Sequence, residues 1–500
     1  MNSFLMYRDK DFDVEQELCL NADILIDDLE LKTIFEAAAQ EDEFIQNVMR
    51  VALLGSLKSI DDIKYRQDIL KDVINNFEVI KQIYLLNVEA IEQEKSIFFA
   101  FFRKYPDVIL SSSIKRVETS IRYIKKIKDI LKVSSSRFKS EGLRNLIKIL
   151  DNELDDSYIS QIEVYLKELR LRDGVFMYFK LGKGMKGQNY TLYKKNRKYY
   201  NWFQKIFRNI IIGIDTNFRF CIDSRDESGA RILSQMRNQG KNSVANTLAL
   251  TADHLKYFLN TLRSELAFYI GSFNIYKFLN ELSVDVVFPV MYDANMRVEN
   301  YKSLRDISLI LTKKESVIEN NLQTKDKELF VITGANKGGK TSYLRSVAIA
   351  GLMMQCGMFV VAEKFESNIS DQFFTHFKKD EDNSLKSGKF DEELKRMSDI
   401  VEQITPNSLM VFNESFSATN ESEGSFIATQ IVKAFIQKKI KIFFITHMYS
   451  FAETFLEKNL ENTIFLRAER DKSGKRSYKI KEGIPLKTSF GEDIYKKFFT

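Results

Sequence analysis

Residues able to hold a polyphosphate are concentrated in one stretch, Gly334-Ala335-Asn336-Lys337-Gly338-Gly339-Lys340-Thr341, which fits the pattern G-x-x-x-x-G-K-[ST]. Ahead of it, the apolar run Leu329 to Ile332 reads as a buried strand, and a helix is expected from about Thr341. Three glycines let the backbone curl so that successive N–H groups point inward, while the following helix adds its positive N-terminal end. Residues Gly334 to Ser342 are therefore the candidate phosphate-binding set. Lys340 is placed to reach the β- and γ-phosphates of a nucleotide, and the Thr341 hydroxyl to ligate Mg²⁺. A chance glycine-rich turn is the bland alternative, disfavoured by the strand and helix patterns on either side.

Two later strand ends complete this chemistry. Ser408 to Phe412 is an apolar strand ending in Asn413-Glu414, the form of a motif whose first residue supports Mg²⁺ and whose next Glu aligns the attacking water. Glu414 is thus the candidate catalytic carboxylate and Asn413 the candidate metal-supporting residue. A further strand, Ile442 to Ile445, ends in Thr446-His447, where the imidazole would face the γ-phosphate side. His254, by contrast, lies on a helical stripe without a second ligand at metal spacing and reads as a packed histidine.

The elements that must position these groups follow from composition. The chain has 500 residues, 44% of them hydrophobic, enough for more than one core, and only 4 prolines and 20 glycines, so long uninterrupted helices are expected. Helical periodicity runs from Phe12 to about Phe102, with Asn21 and Asp27 as candidate caps, then over Ile114 to Val133, Leu143 to Leu171, and Ser243 to Leu282 as one long helix or a broken pair. A small β-element is expected near 173–223, with strands at Ile210 to Ile214 and Phe218 to Ile222. Phe288-Pro289-Val290 marks a boundary. The fold expected is multidomain, α and α/β: a helical body over 1–285 and a phosphate-loop α/β domain over 286–500.

Charge leaves the partner open. A net charge of +6 with pI near 8.8 permits nucleic-acid binding without demanding it. Lys194, Lys195, Arg197, Lys198, Lys205 and Arg208 interleave with Tyr193, Tyr199, Tyr200, Trp202 and Phe207, which suits either phosphates and stacked bases or an amphipathic segment with its aromatics in the core. Three unpaired-looking cysteines, the lack of a basic-apolar leader and the absence of an 18-residue apolar run point to a chain of the cytoplasm without a membrane partner.

The phosphate loop with Asn336 inside it and Tyr343-Leu344-Arg345 after it resembles the ATPase domain of the MutS DNA mismatch repair family. Asn413 to Gly424 is similar to that family's Asp-Glu, Gly-rich, Thr-Ser, Asp-Gly stretch. Thr446-His447 matches its Thr-His, and Ser489-Phe490-Gly491 its closing Ser-Tyr-Gly; Tyr65-Arg66-Gln67 resembles its core and lever helices. The resemblance implies an ABC-type ATPase that binds ATP and Mg²⁺, a homodimer formed through the ATPase domain, and sequence-independent action on DNA in repair or recombination. It also implies a signature segment contributed in trans. Phe390 and Glu393 match the family's Ser-Thr-Phe-x-x-Glu, with Gly388-Lys389 at the Ser-Thr positions and Ser387 as the candidate hydroxyl. Two departures qualify these implications. Asn413 stands where the family has Asp, which lowers the expected metal affinity and turnover. No Phe-x-Glu wedge precedes Phe390, and the expectation is a chain without the mismatch-reading domains or a clamp insertion. The alternative is a nucleotide-gated scaffold that binds a protein partner instead of DNA.

Overall fold

The computed structural model describes residues 1–97, 106–171, 174, 176–185, 187–192, 222–223, 225–379, 388–458, 460–470 and 476–486. In chain order the helices are α1 (Ala22–Asp28), α2 (Lys32–Ala39), α3 (Glu43–Leu54), α4 (Ile60–Asn75), α5 (Phe77–Ile97), α6 (Pro106–Val133), α7 (Glu141–Glu153), α8 (Asp156–Leu169) and α9 (Glu227–Glu281). A hairpin, β1 (Met177–Leu181) and β2 (Gly187–Leu192), lies between α8 and α9. Packing groups the chain into two compact units. One is Met1–Asn2, Gln82–Val133 and Ile147–Arg263; the other is Ser3–Lys81, Ser134–Leu146 and Ser264–Thr500. This grouping differs from the chain-order division expected at residue 285. Early residues pack on the strand-bearing part, where Asn21 Nδ2 donates to the Phe373 carbonyl at 2.7 Å and the Leu57 amide donates to Gln355 O at 3.0 Å.

In the first unit, helix ends differ from the periodicity reading where a polar residue outcompetes it. Helix α6 starts at Pro106, well before Ile114, since a proline in the first turn gives up no internal hydrogen bond. The expected helix from Leu143 to Leu171 is two helices, because Asp155 accepts from the Tyr158 amide at 2.6 Å and caps α8. Helix α9 is one element of 55 residues. Its first turns present few buried residues, so no apolar stripe announced them in the sequence. Further along, the buried side is Ala252, Leu255, Phe258, Leu259 and Leu262. His254 is exposed, so its reading as a packed histidine is corrected, and Leu250 is 61% exposed beside that same stripe. The hairpin realises part of the expected β-element, while residues 193–221, with the basic-aromatic run, lie outside the described residues.

In the second unit neither proposed early cap acts as one. Asn21 makes no side-chain cap bond, and Asp27 lies inside α1; the capping carboxylate is Asp42, which accepts from Phe44 N at 2.9 Å. The unit's sheets are formed by β3 (Val290–Tyr292), β4 (Val298–Leu304), β5 (Asn320–Lys325), β6 (Leu329–Thr333), β7 (Lys364–Asn368), β8 (Phe373–Phe377), β9 (Leu409–Asn413), β10 (Lys441–Ile445), β11 (Thr463–Arg470) and β12 (Arg476–Glu482). Its helices are α10 (Ile307–Lys313), α11 (Lys340–Gln355), α12 (Lys389–Gln403), α13 (Glu421–Gln437) and α14 (Tyr449–Glu457). The larger sheet has strand order β12-β11-β6-β10-β9-β8, parallel apart from β12 at the edge, and a four-stranded sheet runs β3-β7-β4-β5. Strands covered on both faces are apolar throughout: Leu329 to Ile332 and Ile442 to Ile445 are fully buried. Phe330 stacks on Phe443 at 4.1 Å, and Phe444 on Phe412 at 4.7 Å.

The N-terminal segment is held to α9 by one carboxylate. Glu265, wholly buried, accepts from the Ser3 hydroxyl at 2.5 Å and from the amides of Leu5 at 2.7 Å and Phe12 at 3.0 Å. Burial raises its pKa to about 7 despite these donors. Since the folded value exceeds the unfolded one, the stability linked to this proton is fully present below about pH 4.5 and is lost as pH rises through about 7. Urea unfolding of wild type beside Glu265→Gln at pH 5 and pH 8 is therefore expected to show the wild type losing stability relative to the variant at the higher pH. A constant difference across the two pH values would refute the assignment.

Candidate active site

The three strand ends named by the sequence are brought to one level by sheet register. Ile332 of β6 pairs with Ile445 of β10, and Ile445 pairs with Asn413 of β9, so the phosphate loop, His447 and Glu414 leave the carboxyl edge of adjacent parallel strands. That edge is where ligands bind in open α/β sheets. Backbone bonds continue past the strands: Thr446 N donates to Ile332 O at 3.1 Å and Glu414 N to Ile445 O at 3.0 Å.

The loop is tight. At Gly334, with φ +122°, an added Cβ would lie 2.9 Å from Ala468 Cβ; at Gly339, with φ +88°, it would lie 2.8 Å from Tyr478 O. Lys340 opens α11 and curls back, its Nζ donating to Gly334 O at 2.9 Å and Ala335 O at 3.0 Å. Burial lowers its pKa to about 8, with Glu414 opposing and Arg476 adding to that shift. Asn336, Lys337, Gly338, Thr341 and Ser342 line a cavity of 660 Å³ together with Lys340, Glu414, Asp306, Leu309 and Tyr478. An adjoining cavity of 330 Å³ is lined by Asn336, Lys378, Glu414, Ser417, Thr446, His447 and Met448.

At the junction of the two, His447 Nε2 lies 3.2 Å from Lys340 Nζ and 3.0 Å from Glu414 Oε1. One ring nitrogen cannot serve both at once. With hydrogen on Nε2 it donates to Glu414; with hydrogen on Nδ1 it accepts from Lys340. The His447 hydrogen bond is the main cause of a lowered pKa at Glu414, helped by the charges of His447, Lys340 and Lys378 and opposed by burial, so the carboxylate is held ionised. Glu414 sits at φ +53° and Phe416 at φ +62°, a left-handed turn uncommon for such residues. Gly424 of α13 packs on that turn, where a Cβ would come within 2.3 Å of Phe416 O.

The candidate metal position is neutral. Asn413 Oδ1 is buried without a hydrogen-bond partner, the signature of an oxygen with capacity left for a cation or its water. Thr341 is exposed at the start of α11. Among the described residues no group of three His, Cys, Asp or Glu could hold a metal. These donors fit Mg²⁺ that arrives with a polyphosphate supplying most of its charge, and do not fit a stand-alone cation site.

Of the other expected residues, Ser387 and Ser489-Phe490-Gly491 lie outside the described residues. Phe390 and Glu393 begin α12, Phe390 packed on the core of the sheet and Glu393 buried. Sequence reasoning missed His376 at the end of β8. Its Nε2 lies 3.1 Å from Glu393 O, and its Nδ1 lies 2.8 Å from Ser415 Oγ, which is also 2.5 Å from the His376 carbonyl. Burial drives the pKa of this imidazole down to about 4, so the neutral ring donates from Nε2 to the Glu393 carbonyl and offers Nδ1 as an acceptor, which competes with the His376 carbonyl for the single hydrogen of the Ser415 hydroxyl. The contact thereby joins α12 to the residue next to Glu414. Lys378 was also missed; as one lysine among many, nothing in its local pattern set it apart.

Two family models match this chain. A family model described as "MutS2 N-terminal domain" matches residues 58–282, and one described as "MutS domain V" matches residues 330–498. The chain belongs to the MutS family. Proteins named "DNA mismatch repair protein MutS" are similar to part of this chain. That of Alkaliphilus metalliredigens is 31% identical over 194 residues, 35% of this chain and 22% of the relative; that of Finegoldia magna is 36% identical over 144 residues, 28% and 16%. A Clostridium botulinum protein is 31% identical over 159 residues, 31% and 17%. The matched part of this MutS-family chain thus spans about a fifth of the length of those relatives. No described helix is long and apolar enough to cross a membrane.

Removing the Ser415 hydroxyl would leave His376 Nδ1 buried and unpaired. Ser415→Ala is expected to cost about 1–3 kcal/mol of stability, read as a lower urea midpoint at unchanged slope. A midpoint equal to wild type would show that the contact carries no stability.

Proposed function

We propose that this chain is a MutS-like ATP-binding, DNA-binding protein: a cytoplasmic homodimer, joined through its ATPase domain, that acts on DNA in repair or recombination without wedge-type mismatch reading. The observation that carries the reading is the convergence of Lys340 and Glu414 on one ring nitrogen of His447 at the carboxyl edge of adjacent parallel strands. Residues 1–285 would be the core and lever region, and 286–500 the ATPase domain.

In this reading the amides from Gly334 to Gly339 and the N-terminus of α11, with Thr341 and Ser342, hold the phosphates of ATP. Lys340 leaves the carbonyls of Gly334 and Ala335 for the β- and γ-phosphates, since an ammonium gains more from phosphate charge than from two carbonyl dipoles. That movement frees His447 Nε2 to donate to Glu414, whose ionised carboxylate orients the attacking water. Thr341 and Asn413 hold Mg²⁺, which neutralises phosphate charge when bound. Ser387 remains the candidate trans hydroxyl in a dimer.

Lys340→Ala is expected to abolish ATP binding in equilibrium titration; unchanged affinity would remove the nucleotide reading. For the metal site, calorimetry should detect Mg²⁺ binding with ATP present and none without it. Asn413→Asp should tighten the metal and raise steady-state hydrolysis, whereas equal rates would show that the missing charge does not limit turnover. DNA affinity should fall steeply with salt and differ little between mismatched and matched duplexes. A hundredfold mismatch preference at fixed salt would overturn that part, and no binding at low salt would favour the protein-partner alternative.

A further inference from the structure

A further cavity, remote in sequence from the phosphate loop, lies in the helical unit between α6 and α8. It measures 610 Å³, and six cations line it: Lys115, Arg122, Lys125, Lys126, Lys167 and Arg170. All six are exposed, and the acids beside them are Glu118, Asp129 and Glu163. Over the whole chain 75 basic residues face 69 acidic ones, so a two-to-one excess here is a local feature and not a reflection of composition. The acids are also partly spent. Arg170 Nη2 donates to both oxygens of Glu118, at 2.9 and 2.7 Å, joining α6 to the end of α8. Buried Ile121, Thr119 and Leu166 form apolar floor beneath these charges.

The spacing suits a polymer. Lys115, Glu118, Arg122, Lys125 and Asp129 recur at three and four residues along α6, hence on one face of the helix. Lys115 and Lys125 are ten residues apart, about 15 Å along the axis, or roughly four base-pair rises of duplex DNA. A single phosphate group could engage only part of that row. Lysines on flexible stems supply point charges that follow a backbone without reading bases, and among the described residues that line the groove none is aromatic.

We propose that the α6–α8 groove is a docking surface for the phosphate backbone of duplex DNA. The inference rests on the DNA-binding reading above and adds where the contact is made. Contacts of this kind would fix the position of the duplex and confer no sequence preference. Their strength would come from counterion release and so depend on salt.

The test combines Lys115→Glu, Lys125→Glu and Lys167→Glu in the full chain and follows fluorescence anisotropy of a linear 30-base-pair duplex across a salt series. The expected result is at least a tenfold loss of affinity at low salt and a log–log salt slope shallower by about 2 to 3, close to one per lysine. ATP affinity should stay at the wild-type value, which excludes global unfolding. A control triple of exposed lysines in the other unit, Lys58→Glu, Lys64→Glu and Lys277→Glu, should lose much less. Equal losses in the two triples, or an unchanged slope in the first, would overturn the groove while leaving DNA binding intact. Tighter binding of single-stranded RNA than of duplex DNA at the same salt would also overturn it. Wild type that fails to bind DNA at low salt would sink both the groove and the reading beneath it.

Discussion

A guanidinium taken out of water must find partners, and Arg66 finds them in three separate parts of the chain. Its Nε donates to Met6 O at 2.7 Å and its Nη1 to Cys356 O at 3.4 Å, while its plane lies over the rings of Tyr7 and Phe268. The N-terminal segment, the residue ending the helix that starts at the phosphate loop, and the long helix α9 are thereby fixed around one charge. One nitrogen, Nη2, has no hydrogen-bond partner, so the ring faces supply part of what water would have given. Gly357 makes the approach possible: with φ +83°, a Cβ there would lie 2.5 Å from Arg66 Cβ. The same burial raises the Cys356 thiol to about 12, which keeps it protonated and inert.

This arrangement explains why residues 3–81 belong by packing to the strand-bearing unit. Helix α11 leaves the phosphate loop buried along nearly its whole length, and the carbonyl of Cys356, its C-cap, meets Arg66. A shift of the loop on phosphate binding would therefore be felt at Arg66, and through it at the segment that Glu265 clamps to α9. Rigid elements in contact transmit displacement because interiors are too closely packed to absorb it. The route is spatial, and it acquires energetic meaning only if nucleotide favours one of two arrangements of α11.

What could be read from the sequence was what local chemistry dictates. The phosphate loop, the strand before it and the two strand ends at Asn413-Glu414 and Thr446-His447 were legible, because glycine spacing, apolar runs and polar residues at strand ends are local signals. Arg66 was visible only as part of a Tyr-Arg-Gln string, since its burial depends on Tyr7, Phe268 and Gly357, none of them nearby in sequence. His376 was invisible for the same reason: its role comes from strand β8 lying next to β9 and from α12 folding back over both. The long helix was misjudged where it is exposed, as at His254 and over its first turns. Periodicity reports burial, and an exposed helix carries little of it. Asp155 was a local signal overlooked, a cap within an otherwise continuous apolar pattern.

The candidate site combines a strained, well-anchored carboxylate with a neutral residue at the proposed metal position, and the two have different consequences. Holding Glu414 in the left-handed region costs energy that Ser415, His376 and Gly424 must offset, an arrangement consistent with a carboxylate required at one fixed position. Asn413 forgoes one negative charge beside the phosphates, where an interaction at 4 Å is worth about 4 kcal/mol at an effective dielectric of 20. An amide oxygen can still orient the cation or its water but attracts it less. In the proposed reaction, phosphate recognition by the loop would owe little to Asn413, whereas stabilising charge that develops during transfer would depend on the metal. In the proposed reaction such a site would hold nucleotide with the full loop and turn it over with part of the usual electrostatics, and the expected consequence is a long-lived ATP-bound state.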